Sequence, residues 1–149
     1  MILVDANLLL YAHDTRSDHQ DEARRWLEKA FGEEVDVRLP LVTLLAFIRI
    51  GSDPRLYAQP LSMEEATAIV RGWLARSNVA IATPGDRHWA ILGDIAQAGQ
   101  ARGPVAMDAH LAALTIEHGA ELMTTDRGFA RFPGLRFRNP LPGSGPRGT

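Results

Sequence analysis

Three aspartates stand out by type and placement. Asp5 ends the apolar run Ile2-Leu3-Val4. Asp126 follows Leu122-Met123-Thr124-Thr125. Asp108 follows Val105-Ala106-Met107 at the start of a helical stretch. Carboxylates at strand ends and helix starts have two readings. Asp is a favoured helix N-cap and gains ~0.3–1 kcal/mol from the helix dipole, so each could be only a cap or turn residue. If the strands are parallel, however, all three reach one edge of the sheet. Two carboxylates ~5 Å apart repel by roughly 3 kcal/mol at an effective dielectric of about 20. Such a cluster must be protonated or neutralised by a cation. Oxygen donors without nearby His or Cys select Mg²⁺ or Mn²⁺, and such an ion activates water against a phosphodiester. Asn7 and Thr125, beside Asp5 and Asp126, are candidate hydrogen-bonding partners of the carboxylates or turn residues.

The elements that must position these acids follow from hydropathy patterning. Ile2–Val4 reads as a buried strand and residues 6–13 as a short helix or turn. From Asp18 to Phe31, apolar Ala23, Trp26, Leu27, Ala30 and Phe31 recur at helical spacing. Val35–Leu39 has β character. Val42–Ile50 is apolar almost all round, which predicts a buried helix beginning near Thr43. Ser62 followed by Glu65 is a capping-box pattern opening a helix to about Arg76. Val79–Ala82 is a strand, Arg87–Gln97 a helix, and Met107–His118 a helix closed by Gly119. Leu122–Thr125 and Leu135–Arg138 complete the strands. Strands alternating with helices predict an α/β fold with a mostly parallel sheet covered on both faces. Ligands of such sheets bind beyond the carboxyl ends of the strands. Residues 1–139 form one expected domain, and 140–149 a Pro/Gly-rich tail expected to be disordered.

Composition narrows the function classes. The 149-residue chain has no cysteine, which removes disulfides, thiolate metal sites and cysteine nucleophiles. A formal net charge of −2 argues against coating nucleic acid by bulk positive charge, though not against a local basic rim. Fifteen of the sixteen basic side chains are Arg, the better fork for phosphate. No signal peptide is visible and no apolar run reaches the ~20 residues of a membrane span, so a cytoplasmic protein is expected.

The segments ILVDANLLLYA, TLLAFIRI and MDAHLAALTIEHGAELMTTDRGFARFPGL, in that order, resemble a PIN domain, and more narrowly the VapC-type toxins of bacterial toxin–antitoxin pairs. The resemblance runs from Ile2 to about Pro140. It implies a three-layer α/β/α sandwich and a metal-dependent endoribonuclease acting on structured transfer or ribosomal RNA. It also implies a homodimer restrained by a VapB-type antitoxin. By motif, Asp5, Asp108 and Asp126 match the family's acids, as catalytic residues and ligands of Mg²⁺ or Mn²⁺. One position departs: many PIN domains carry Glu where this chain has Ala46. Asp14 is a candidate replacement.

Other residues carry weaker expectations. His13 and Asp14 face the cleft or lie on a surface loop. Arg49, in an apolar helix, pairs with an acid, reaches RNA or snorkels outward. Arg127 and Arg131 are the best phosphate contacts near the cleft. Arg87, His88 and His110 are read as solvated rather than RNA-contacting, and Trp26, Trp73 and Trp89 as core or dimer packing. Two rivals remain. A phosphatase would use Asp5 as nucleophile, but its usual second Asp is Asn7 here. A non-catalytic binding module would treat Ala46 as a sign of lost chemistry. P-loop nucleotide binding is excluded, since no G-x-x-x-x-G-K-[ST] occurs.

Overall fold

The first strand is placed at the centre by its composition. Ile2-Leu3-Val4 has no polar side chain, and Leu3 and Val4 are completely buried, as a strand covered on both faces requires. In the computed structural model, which describes residues 1–32 and 35–142, β1 (Ile2–Val4) pairs in parallel with β2 (Val37–Pro40) on one side and β4 (Glu121–Met123) on the other. β3 (Val79–Ala82) and β5 (Phe137–Arg138) form the edges, giving the order β3-β2-β1-β4-β5, all parallel. The chain winds outward from β1 through β2 to β3, then crosses to the other side of β1 for β4. The reversal between β1 and β4 opens a crevice at their carboxyl ends.

Side chains alternate across the sheet and divide the core in two. Val4, Val37, Leu39 and Met123 join the layer made by α1 (Ala6–His13), α2 (Gln20–Gly32), α3 (Leu41–Gly51) and α4 (Met63–Leu74). Leu3 and Leu122 point the other way, into the layer of α5 (His88–Ala98), α6 (Val105–Glu117) and a 3₁₀ turn at Arg127–Arg131. This is the expected three-layer α/β/α sandwich. No helix among the described residues is long and apolar enough to cross a membrane.

Local signals read well. Ser62 Oγ accepts from the Glu65 amide while Glu65 Oε1 accepts from the Ser62 amide, both at 3.0 Å, the reciprocal capping box. Gly119 takes φ +64° just past α6, a left-handed conformation that glycine adopts without a Cβ penalty.

Three expectations are corrected. α3 is not buried all round: Thr43, Leu44 and Phe47 face inward, whereas Leu41 and Leu45 are each 55% exposed. His88, read as solvated, is instead 6% exposed, and its Nε2 lies 3.0 Å from His110 Nδ1. Of the tryptophans read as core or dimer packing, Trp26 and Trp73 pack against the first core, and Trp89 is 80% exposed, which leaves it the second reading. Within the segment expected to be disordered, Leu141 is buried against that same core, and residues 143–149 lie outside the described residues.

Candidate acid cleft at the sheet crevice

Asp5 leaves β1 at its carboxyl end and becomes the N-cap of α1, its Oδ1 accepting the Ala6 amide at 2.7 Å. Its other oxygen accepts the Thr124 hydroxyl at 2.7 Å. Thr124 Oγ1 in turn accepts the Asp126 amide at 3.0 Å, and Asp126 Oδ1 accepts the Gly128 amide at 2.8 Å. A continuous hydrogen-bonded chain therefore joins Asp5 to Asp126 across the crevice between β1 and β4. Asp126 lies three residues beyond the end of β4, as the N-cap of the 3₁₀ turn.

Asp108 approaches from the opposite wall. The N-cap of α6 is Pro104, so Asp108 sits inside the first turn and is not the cap that sequence left open. Its carboxyl is pushed above the ordinary value, first by burial and then by the negative charges of Asp126 and Asp5, with Arg131 acting against them. Asp5 is likewise raised, mainly by burial, with the Thr124 and Ala6 hydrogen bonds opposing and Asp126 adding repulsion. Asp108 thus feels the charge of both other acids, and Asp5 that of Asp126.

Asp5 and Asp108 open onto a cleft of about 730 Å³ between α3 and α6. α3 turns Thr43, Ala46 and Arg49, one helical turn apart, along one wall, and α6 turns Met107 and Leu111 along the other. Leu45, Met63 and Met107 give the mouth an apolar rim, each more than half exposed. Arg49 is exposed and lines the same cleft, but the acids' perturbations do not involve it. Its charge helps lower the carboxyl of Asp53, which already holds Arg55 at 3.0 Å.

The remaining expected site residues separate. Asn7 lies in the first turn of α1, with its Oδ1 buried and lacking a hydrogen-bond partner. Thr125 is half-buried, and the hydroxyl that joins the acids belongs to its neighbour Thr124, which sequence reasoning missed. The available signal was alternation: Thr124 continues the phase of Leu122, and one step decides which Thr reaches back to β1. Asp14 caps the far end of α1, about 13 Å along the helix from Asp5. It bonds the Arg16 backbone amide at 3.0 Å and does not line the acid cleft, so it does not stand in at Ala46. Arg127 and Arg131 are exposed on the 3₁₀ turn beside Asp126.

The donor chemistry suits a hard divalent cation. All the converging groups are oxygen donors, and the buried Thr43 Oγ1, a further oxygen lining the cleft, lacks a hydrogen-bond partner. Among the described residues no three His, Cys, Asp or Glu side chains close around one point tightly enough to hold an ion as they stand.

A five-stranded parallel sheet of this order, covered by helices on both faces and carrying acids at its crevice, defines an α/β class of protein, and residues 2–135 match the PIN domain. The chain belongs to the PIN-domain family. It is 39% identical over 140 residues to Ribonuclease VapC37 of Mycobacterium tuberculosis, covering 94% of this chain and 97% of that one. It is also 39% identical over 145 residues to Ribonuclease VapC43 of the same organism, covering 96% and 97%. Among solved structures it resembles VapBC-1 from nontypeable Haemophilus influenzae, with TM-score 0.66 at 19% identity, covering 93% of this chain and 98% of that one. It also resembles M. tuberculosis VapC20, described as a sarcin-ricin loop cleaving toxin, with TM-score 0.63 at 16% identity, covering 91% and 99%.

Proposed function

We propose that the chain is the toxin of a toxin–antitoxin pair, a metal-dependent endoribonuclease acting on structured RNA such as transfer or ribosomal RNA in the cytoplasm. The observation that carries this reading is the hydrogen-bonded chain from Asp5 through Thr124 to Asp126, with Asp108 facing it. Relatives at 39% identity that are named ribonucleases support it.

Asp5, Asp108 and Asp126 are the residues that would hold Mg²⁺ or Mn²⁺. When bound, such an ion supplies positive charge beside the phosphodiester and lowers the pKa of a water for attack on phosphorus. The protein's own groups do the rest. Thr124 fixes the Asp5 carboxylate and the Asp126 backbone in one geometry, while Asn7 and Thr125 have supporting roles at the edges of the cluster. Arg49, Arg127 and Arg131 bind phosphates flanking the scissile one, and Arg131 moderates the charge at Asp108. The apolar rim of Leu45, Met63 and Met107 suits a protein inhibitor, and the VapBC structures of like fold support a VapB-type antitoxin partner. Exposed Trp89 offers apolar surface for a homodimer.

The experiment is RNA cleavage with added Mn²⁺, compared with chelator and with Asp5→Asn and Asp108→Asn. Cleavage by the wild type alone, paired with growth arrest on its expression, is the expected result. RNA affinity indifferent to all three changes, with no cleavage, would leave a binding module instead.

A further inference from the structure

A second cavity, of about 260 Å³, lies on the opposite side of α3 from the acid cleft. α3 turns Phe47 and Gly51 toward it while Ala46 and Arg49 face the cleft. α1 contributes Leu10 and His13, and the segment between α3 and α4 contributes Tyr57, Gln59 and Leu61. The floor is apolar and aromatic. Phe47 is completely buried, and the His13 ring meets it edge-on with centroids 6.0 Å apart.

The mouth is polar and partly fixed. The Arg16 guanidinium lies 5.0 Å over the Tyr57 ring. Its Nε reaches Asp14 Oδ1 and its Nη2 the Leu56 carbonyl, both at 3.4 Å. These contacts hold the 52–61 segment against the end of α1 and keep one cation at the rim. The side chains of Gln59 and Thr15 make no hydrogen bond among the described residues, so an amide and a hydroxyl stand free beside an aromatic floor.

The volume is below the roughly 300–1,000 Å³ of drug-sized sites, which limits the occupant to about one ring system. An aliphatic group would satisfy the floor and waste the rim. A planar heterocycle satisfies both, lying against the His13 or Tyr57 ring or the Arg16 guanidinium, which keep accessible surface above the buried Phe47, and bonding through its edge, as unstacked RNA bases do. Position agrees. Ser52 and Met63 line the cleft while Gly51 and Leu61, one and two residues from them in the chain, line the pocket, so both cavities reach the end of α3. That end is about 13 Å along α3 from Thr43 in the cleft wall, a span of a few nucleotides.

We propose that this pocket takes one nucleobase. The base belongs either to an unstacked nucleotide of an RNA lying in the cleft, a source that rests on the ribonuclease reading, or to a free nucleotide.

The test titrates the full chain with AMP, GMP, CMP and UMP, without divalent ions, and follows the Phe47 and Tyr57 ring resonances. Ribose 5-phosphate and indole are the controls. Saturable shifts with at least a fivefold preference for one base, lost in Gln59→Ala and in Tyr57→Leu, are expected. A parallel arm measures cleavage of RNAs varied in sequence around the cut. If both variants flatten the preference at one position through KM, the base comes from RNA. If nucleotides bind but that preference is untouched, it comes from a free nucleotide. Absence of any nucleotide-dependent shift overturns the proposal. So does binding of ribose 5-phosphate or indole as tight as that of every nucleotide. A chain that cuts no RNA leaves the mononucleotide arm decisive, so failure of the ribonuclease reading is distinguishable from failure of the pocket.

Discussion

The Thr124 hydroxyl donates to Asp5 Oδ2 at 2.7 Å, joining residues 119 apart in sequence across the β1–β4 crevice. Thr124 is 1% exposed, so water cannot replace the bond. Thr124→Val keeps the shape and removes the hydroxyl, freeing Asp5 to rotate and leaving the Asp126 amide unpartnered. RNA cleavage should fall about 10–100-fold, and the Mn²⁺ concentration for half-maximal rate should rise. Thr124→Ser should restore most of the rate. Equal losses in Val and Ser variants would refute a positioning role.

Asp108 gives a stability prediction with a definite sign. Its folded pKa is raised, so its contribution to stability is fully present below the ordinary carboxylate value and is lost as pH rises through the folded value. At neutral pH the ionised group is a burden on the fold. Asp108→Asn should therefore raise Tm at pH 7 by roughly 1–3 °C, a modest gain because the half-exposed carboxylate is partly screened by solvent, and change little near pH 3. Mn²⁺ should stabilise the wild type more than the variant. Calorimetry at the two pH values checks both.

Arg49 is exposed and lines the cleft, and its charge is felt by Asp53. Arg49→Ala should weaken RNA binding and lower the slope of log affinity against log salt by about 0.7, the value for one phosphate contact on a single strand. Filter binding with the Asp5→Asn chain reads this without cleavage. An unchanged slope would place Arg49 outside the RNA path.

Glu117 ties the entry of α5 to the end of α6. Its Oε1 and Oε2 accept the Gly85 and Arg87 amides at 2.7 and 2.9 Å. Its carboxyl is held below the ordinary value, chiefly by the Gly85 bond. That contribution is present above the ordinary carboxylate pKa and is lost as pH falls through the folded value. Glu117→Gln should lower Tm at pH 7, and the gap between the two chains should narrow toward pH 3.

Sequence by itself determined what is local. The Ser62–Glu65 box, the glycine closing α6 and the strand running into Asp5 depend on neighbours within a few residues, and hydrogen bonds and hydropathy period report those directly. The alternation of elements also implied the parallel sheet, and with it the strand-end position of the acids. What only tertiary structure decided is which way side chains face once an element ends or meets a partner. Alternation puts Thr124 in the phase of Leu122, but that its hydroxyl ends at Asp5, 119 residues away, is decided by the pairing of β4 with β1. Asp14 leaves the acids because α1 is eight residues long and carries it to the far end. α3 and Trp89 expose apolar side chains because the helices packed beside them cover only one face, a matter of neighbours distant in sequence that no local pattern encodes.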